Sequence, residues 1–142
     1  MEKVTEELSK LAHVFRQAIE LCDRSQLPIS FQSFPRGSCG DTCDLLAKWL
    51  EENGQTGFYY VCGWRQGGSH AWLERDGIIL DITADQFVDM KQSVIVTDDP
   101  TWHETFGNLQ RHYADFETYN SHTVAVLRMA YSHIRAAICI GV

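Results

Sequence analysis

The dipeptide Asp76-Gly77 lies between two apolar runs, residues 69–75 and 78–83, and it constrains the fold more than any other feature of the chain. Asp-Gly supplies the positive φ angles that a two-residue hairpin turn requires, so the flanking runs are predicted to pair antiparallel. With the turn centred there, Arg75 opposes Ile78, Leu73 opposes Leu80, Trp72 opposes Asp81 and His70 opposes Thr83. Side chains alternate between the two faces of a strand. His70 and Asp81 therefore share a face as diagonal neighbours within side-chain reach. Asp81 stands among Ile78, Ile79, Leu80 and Ile82, where a carboxylate is costly to bury without a partner.

The remaining elements follow from periodicity. Residues 2–25 carry Leu8, Leu11, Ala12, Phe15, Ala18, Ile19 and Cys22 at the helical spacing, and Pro28 marks the exit. Residues 29–37 are a Ser/Phe/Pro/Gly loop. A second helix is predicted to start at Cys39, with Ser38 as N-cap and Asp41 completing a capping-box-like pattern. Asn53-Gly54 ends it. Residues 58–64 are aromatic and β-branched and read as a strand, and residues 94–96 as a short fourth one. Residues 98–118, polar and aromatic, show no period. Ser121 is read as the cap of a last helix. One α+β domain spanning residues 1–142 is expected, with helices packed on an antiparallel sheet.

The apolar fraction of 44% suffices for one core without disulfide support. The five cysteines, Cys22, Cys39, Cys43, Cys62 and Cys139, are an odd number with no second C-x-x-C-type pair, which disfavours both a disulfide framework and structural zinc. No metal or other cofactor is expected. The net charge of -7 comes with scattered basic residues, so a nucleic-acid partner is not expected. The early acids Glu2, Glu6 and Glu7 do not fit a signal peptide. No apolar run reaches the roughly 18 residues of a membrane span, and the run at residues 134–142 is short and interrupted. A cytoplasmic location is expected.

Cys39 at the first turn of a helix is the candidate nucleophile. Free amide N–H groups and the positive end of the macrodipole favour its thiolate. His70 is the candidate base, and Asp81 holds its tautomer and orientation. The helix-start amides are candidates for an oxyanion site, with Gln32 as an added side-chain donor and Trp72 as a site wall that contacts substrate. Cys43 is the rival nucleophile, disfavoured because its position is one turn into the helix. Gln86 is read first as closing a turn and second as lining the site. His103, His112, His122 and His133 are read as surface or core residues.

Residues Gly37-Ser38-Cys39-Gly40-Asp41, Ser69-His70-Ala71-Trp72-Leu73-Glu74 and Leu80-Asp81-Ile82-Thr83 resemble, in that order, the nucleophile segment, the His strand and the Asp strand of transglutaminase-like proteins. The stretch from His70 to Asp81 is also similar to the catalytic domain of lasso-peptide maturation proteases. The resemblance covers about residues 36–87. It implies a papain-like/transglutaminase-like core and a thioester acyl-enzyme on Cys39, with a peptide, protein or small amide or ester as substrate. The chain shows no calcium loop, which disfavours a calcium-dependent cross-linker. The competing expectation is a non-enzymatic binding, immunity or adaptor protein on the same scaffold, with residues 98–122 as its partner surface.

Overall fold

The computed structural model describes the backbone of residues 2–141 and the side chains of residues 2–138. Met1, Val142 and the side chain of Cys139 lie outside the described residues. The protein is α+β. Among the described residues, three α-helices, α1 (Glu2–Leu21), α2 (Cys39–Glu52) and α3 (Ser121–Gly141), accompany five strands: β1 (Tyr59–Arg65), β2 (Gly68–Arg75), β3 (Ile78–Asp81), β4 (Ile95–Thr97) and β5 (Gly107–Tyr113). The strands form one antiparallel sheet in the order β4-β3-β2-β1-β5.

The hairpin has the expected register. Leu73 pairs with Leu80, Glu74 with Ile79 and Arg75 with Ile78, around a turn in which Asp76 (φ 51) and Gly77 (φ 78) are both left-handed. That is the geometry a right-twisted hairpin prefers. The strand β5 was not expected. All seven of its residues are exposed, so it has no inward-outward alternation to betray it. Its extended form comes from pairing with β1, a partner more than forty residues away in the chain.

Alternation divides the sheet into two unlike faces. Ala71, Leu73, Ile78 and Leu80 point to the helices and join Leu8, Phe15, Ile19, Leu46, Leu50 and Leu127 in the main core. Val61, Trp72 and Ile79 point the other way and meet Phe106, Phe87 and Trp102 from the irregular segment that follows β3. Gly63, which pairs with His70, makes that second layer possible. A β-carbon there would lie 3.0 Å from Cβ of Phe106 and 2.6 Å from Cδ2 of Leu109, closer than side chains pack.

Three local expectations need correction. The first helix ends at Leu21 rather than residue 25, because Asp23 accepts from the Ser25 amide and starts a separate 3-10 turn. Ser38 occupies the N-cap position of α2 but does not cap it. Its hydroxyl donates to Pro35 O (3.2 Å), while Asp41 accepts from the Ser30 hydroxyl (2.6 Å), so no capping box forms. At α3 the cap is Asn120, whose side-chain oxygen accepts from the Thr123 amide (2.9 Å), one residue before the expected Ser121. No described helix is long and apolar enough to cross a membrane.

Candidate active site

The loop before α2 delivers Cys39 to the first helical position. The Thr42 amide donates to Ser38 O (2.8 Å) and closes the first turn, so the amides ahead of it have no partner within the helix. Because the Ser38 hydroxyl turns to Pro35, the N-cap side chain does not cap them either. Cys39 is half-buried. Cys43, one turn on, is buried, and burial drives its thiol well above the ordinary value, with the charges of Cys39 and Asp81 adding to the rise. Burial likewise raises Cys22 and Cys62. These shifts favour the thiol at neutral pH in all three.

β2 and β3 bring His70 and Asp81 together. His70 Nε2 lies 2.6 Å from Asp81 Oδ2, with neither side chain exposed. The other carboxylate oxygen accepts from the Thr83 amide (3.0 Å). Burial by itself would raise the Asp81 carboxyl. The His70 charge and the N–H donors of His103 and His70 outweigh it and hold the group well below the usual carboxylate range. Asp81 is therefore ionised and only accepts, so the His70 proton sits on Nε2. Burial also disfavours charge on His70. The Asp81 charge and hydrogen bond, followed by a hydrogen bond and charge from Cys39, reverse this and push the imidazole up to about 9. Nε2 being engaged by Asp81, Nδ1 is the nitrogen that faces both Cys39 and the Gln86 amide, the latter at 3.3 Å. The structure thus brings together Cys39, His70 and Asp81.

It does not bring Gln32 to them. The Gln32 amide donates to Arg24 O (2.7 Å), Leu27 O (3.2 Å) and Pro28 O (3.3 Å), which folds the 24–32 loop. The expectation of an oxyanion donor at Gln32 is corrected on that ground. Trp72 belongs to the second core layer, and 1% exposure keeps it behind the histidine rather than against a ligand, which corrects the expected substrate contact. Its Nε1 donates to Glu74 (3.0 Å).

Two site residues escaped the sequence analysis or were weighted differently. Gln86 does close a turn, its Nε2 donating to Thr83 O (3.1 Å), and it also lies 3.3 Å from His70 Nδ1. His103 was read as an ordinary surface or core residue. It is buried, and its Nε2 donates to Asp81 Oδ2 at 2.7 Å, the same oxygen that His70 uses. No periodicity in residues 98–118 marks it, and the signal that existed was a histidine flanked by Trp102 and Phe106 in a segment that had to cover something apolar. That segment serves the interior as well as the surface. His103, Phe106 and Phe116 are buried, whereas β5 is exposed.

An aromatic cage closes around the histidine. The rings of Trp72, Phe87, Trp102 and Phe106 have centroids 5.1 to 5.8 Å from that of His70. The Arg65 guanidinium lies over Phe87, Trp102 and Phe106 at 4.4 to 5.0 Å and is forked onto Asp89 (2.7 and 3.0 Å). Asp89 also accepts from Trp102 Nε1 (3.0 Å). This latch fixes the cage and keeps the medium around the His70–Asp81 pair apolar, which strengthens their attraction.

His70, Asp81 and His103 offer three ligand atoms within 4.8 Å of one another. A tetrahedral zinc ion with ligands at its usual lengths holds neighbouring donor atoms roughly 3.3 Å apart. The separations of 2.6 and 2.7 Å are instead hydrogen-bond lengths, and the residues do not fit a shared ion in this arrangement.

No family model matches the chain, and no curated protein or solved structure matches it.

Proposed function

We propose that the protein is a cysteine-dependent acyl-transfer enzyme, an amide or peptide hydrolase or acyltransferase built on a papain-like/transglutaminase-like core. The observation that carries this reading is the position of His70, which lies between an ionised, buried Asp81 and Cys39 at the uncapped start of α2. The imidazolium form of His70, favoured by Asp81, pairs with the thiolate that forms when Cys39 gives up its proton. The thiolate attacks the carbonyl carbon of an amide or ester. The carbonyl π pair moves to oxygen, where the helix-start amides stabilise it. As the tetrahedral centre collapses, the C–N or C–O bond breaks, and His70 gives its proton to the leaving amine or alcohol. A thioester remains on Cys39. Water, an amine or a thiol then adds to it, His70 removes the nucleophile's proton, and the Cys39 sulfur departs. The substrate class is a peptide, protein or small amide or ester, and a cytoplasmic location belongs to the same reading.

A second reading has one observation in its favour: the His70 side chain is fully covered. A sealed histidine suits a binding or immunity protein that keeps the scaffold without the reaction. The half-buried Cys39 separates the two. At pH 7, iodoacetamide labelling read by peptide mass mapping is expected to reach Cys39 first, and His70→Ala is expected to slow it about tenfold or more, since an unassisted thiol is only a few per cent thiolate at that pH. Uniform labelling of the cysteines, indifferent to His70, sinks the enzymatic reading.

A further inference from the structure

We propose that His103 is a positioning residue of the site, so that the working unit is a chain of four side chains, Cys39–His70–Asp81–His103. This inference rests on the acyl-transfer reading. Asp81 has one oxygen tied to the Thr83 amide at 3.0 Å and the other shared by two imidazole N–H groups at 2.6 and 2.7 Å. Its plane is therefore fixed from three directions. Without His103, Oδ2 keeps a single donor, and the carboxylate can tilt about its Thr83 contact and carry His70 with it. The aim of His70 Nδ1 at Cys39 is then no longer fixed, and small misalignments of a catalytic imidazole are costly.

His103 is itself held for this task. It begins a one-turn 3-10 helix, His103–Thr105, and its ring packs edge-on against Trp72 and Trp102, each at 4.8 Å. Since ionised Asp81 only accepts, the His103 proton facing it must be on Nε2. A cavity of about 210 Å³ borders His103, lined by Met90, Ile95, Thr97, Asp99 and Trp102 among others. The titratable groups around the unit include Cys43, Cys62 and Tyr60 on the Cys39 side, Asp99 on the cavity side and the Arg65–Asp89 pair above the cage. The cavity makes a chemical test available: a small imidazole can enter where the His103 ring is removed.

The test uses the full chain, with Cys39 alkylation at pH 7 as the kinetic readout and ¹⁵N NMR of the histidine rings as the structural one. His103→Phe keeps the ring packing and removes the donor, while His103→Gln returns an N–H near the same place. Alkylation is expected to slow about tenfold in His103→Phe and to stay within about threefold of wild type in His103→Gln. His103→Gly is expected to be slow and to recover with added imidazole. A merely structural role predicts no recovery by imidazole and no difference between Phe and Gln. If His70→Ala slows alkylation but His103→Phe does not, the role of His103 is overturned while the triad stands. If His70→Ala has no effect, both fall. Wild-type spectra decide the matter even if the variants fail to fold: a His103 ring carrying its proton on Nδ1 alone overturns the inference, as does stoichiometric zinc binding that shifts both histidines.

Discussion

Replacing Asp81 by Asn keeps the size of the side chain and removes the charge that organises the site. The amide cannot satisfy its neighbours. With its oxygen toward the imidazoles, its NH₂ meets the Thr83 N–H. Reversed, the NH₂ meets the N–H groups of His70 and His103, or forces the rings to move their protons to Nδ1, where the His70 N–H then faces the Gln86 amide. Either way a buried donor has no acceptor, at about 1–3 kcal/mol. A second loss depends on pH. In the folded protein His70 is raised from 6.5 to about 9, and a tenfold change in proton affinity is worth 1.36 kcal/mol. The folded state therefore gains about 3 kcal/mol from binding this proton. That gain is complete below pH 6.5, where the unfolded chain is also protonated, and fades as the pH climbs through 9. In Asp81→Asn the buried His70 is neutral and the gain is absent. The variant is expected to lose about 5 kcal/mol at pH 6 and about 2 kcal/mol at pH 9.5, an order-of-magnitude estimate. Urea unfolding followed by tryptophan fluorescence measures this directly, as a shift in midpoint at constant slope. An equal loss at both pH values would refute the claim that His70 is charged in the folded state.

Two further substitutions probe the surroundings of the site. Burial raises the Asp44 carboxyl to about 7, against the lowering effect of its hydrogen bond from Tyr119. An acid that holds its proton more tightly when folded destabilises the fold as the pH rises from 3.8 to 7. Asp44→Asn, which keeps an oxygen for Tyr119, is thus expected to be neutral near pH 4 and stabilising by up to about 4 kcal/mol at pH 8, measured by urea unfolding at the two values. Arg16 reaches from α1 to Ile82 O (2.7 Å) and forks onto Asp85 (2.8 and 2.9 Å), pinning the segment that carries Gln86 and Phe87. Arg16→Met leaves Asp85 without its partner and is expected to cost about 3 kcal/mol, with slower Cys39 alkylation as a second sign that the cage has loosened. Unchanged alkylation would show that the segment holds its place without this clamp.

The hairpin was legible because its determinants are local. Asp76-Gly77 admits the turn, a period of two assigns the faces, and the register that sets His70 beside Asp81 follows with no knowledge of the rest of the chain. The start of α2 at Cys39 was placed from Ser38 and Asp41, although in the fold neither side chain caps it. The residues that were missed answer to distant partners. β5 is a strand because β1 has a free edge, and its own side chains carry no pattern. Ser38 and Gln32 turn to loop carbonyls that only the folded 24–35 segment places within reach. His103 arrives at Asp81 from twenty-two residues downstream because residues 98–106 must cover the apolar face of Val61, Trp72 and Ile79. By itself, then, the sequence determined the α+β class, the hairpin and its His–Asp pair. Tertiary structure alone decided which donors complete the carboxylate and what seals it from water, because those contacts depend on chain closure, which local periodicity does not encode.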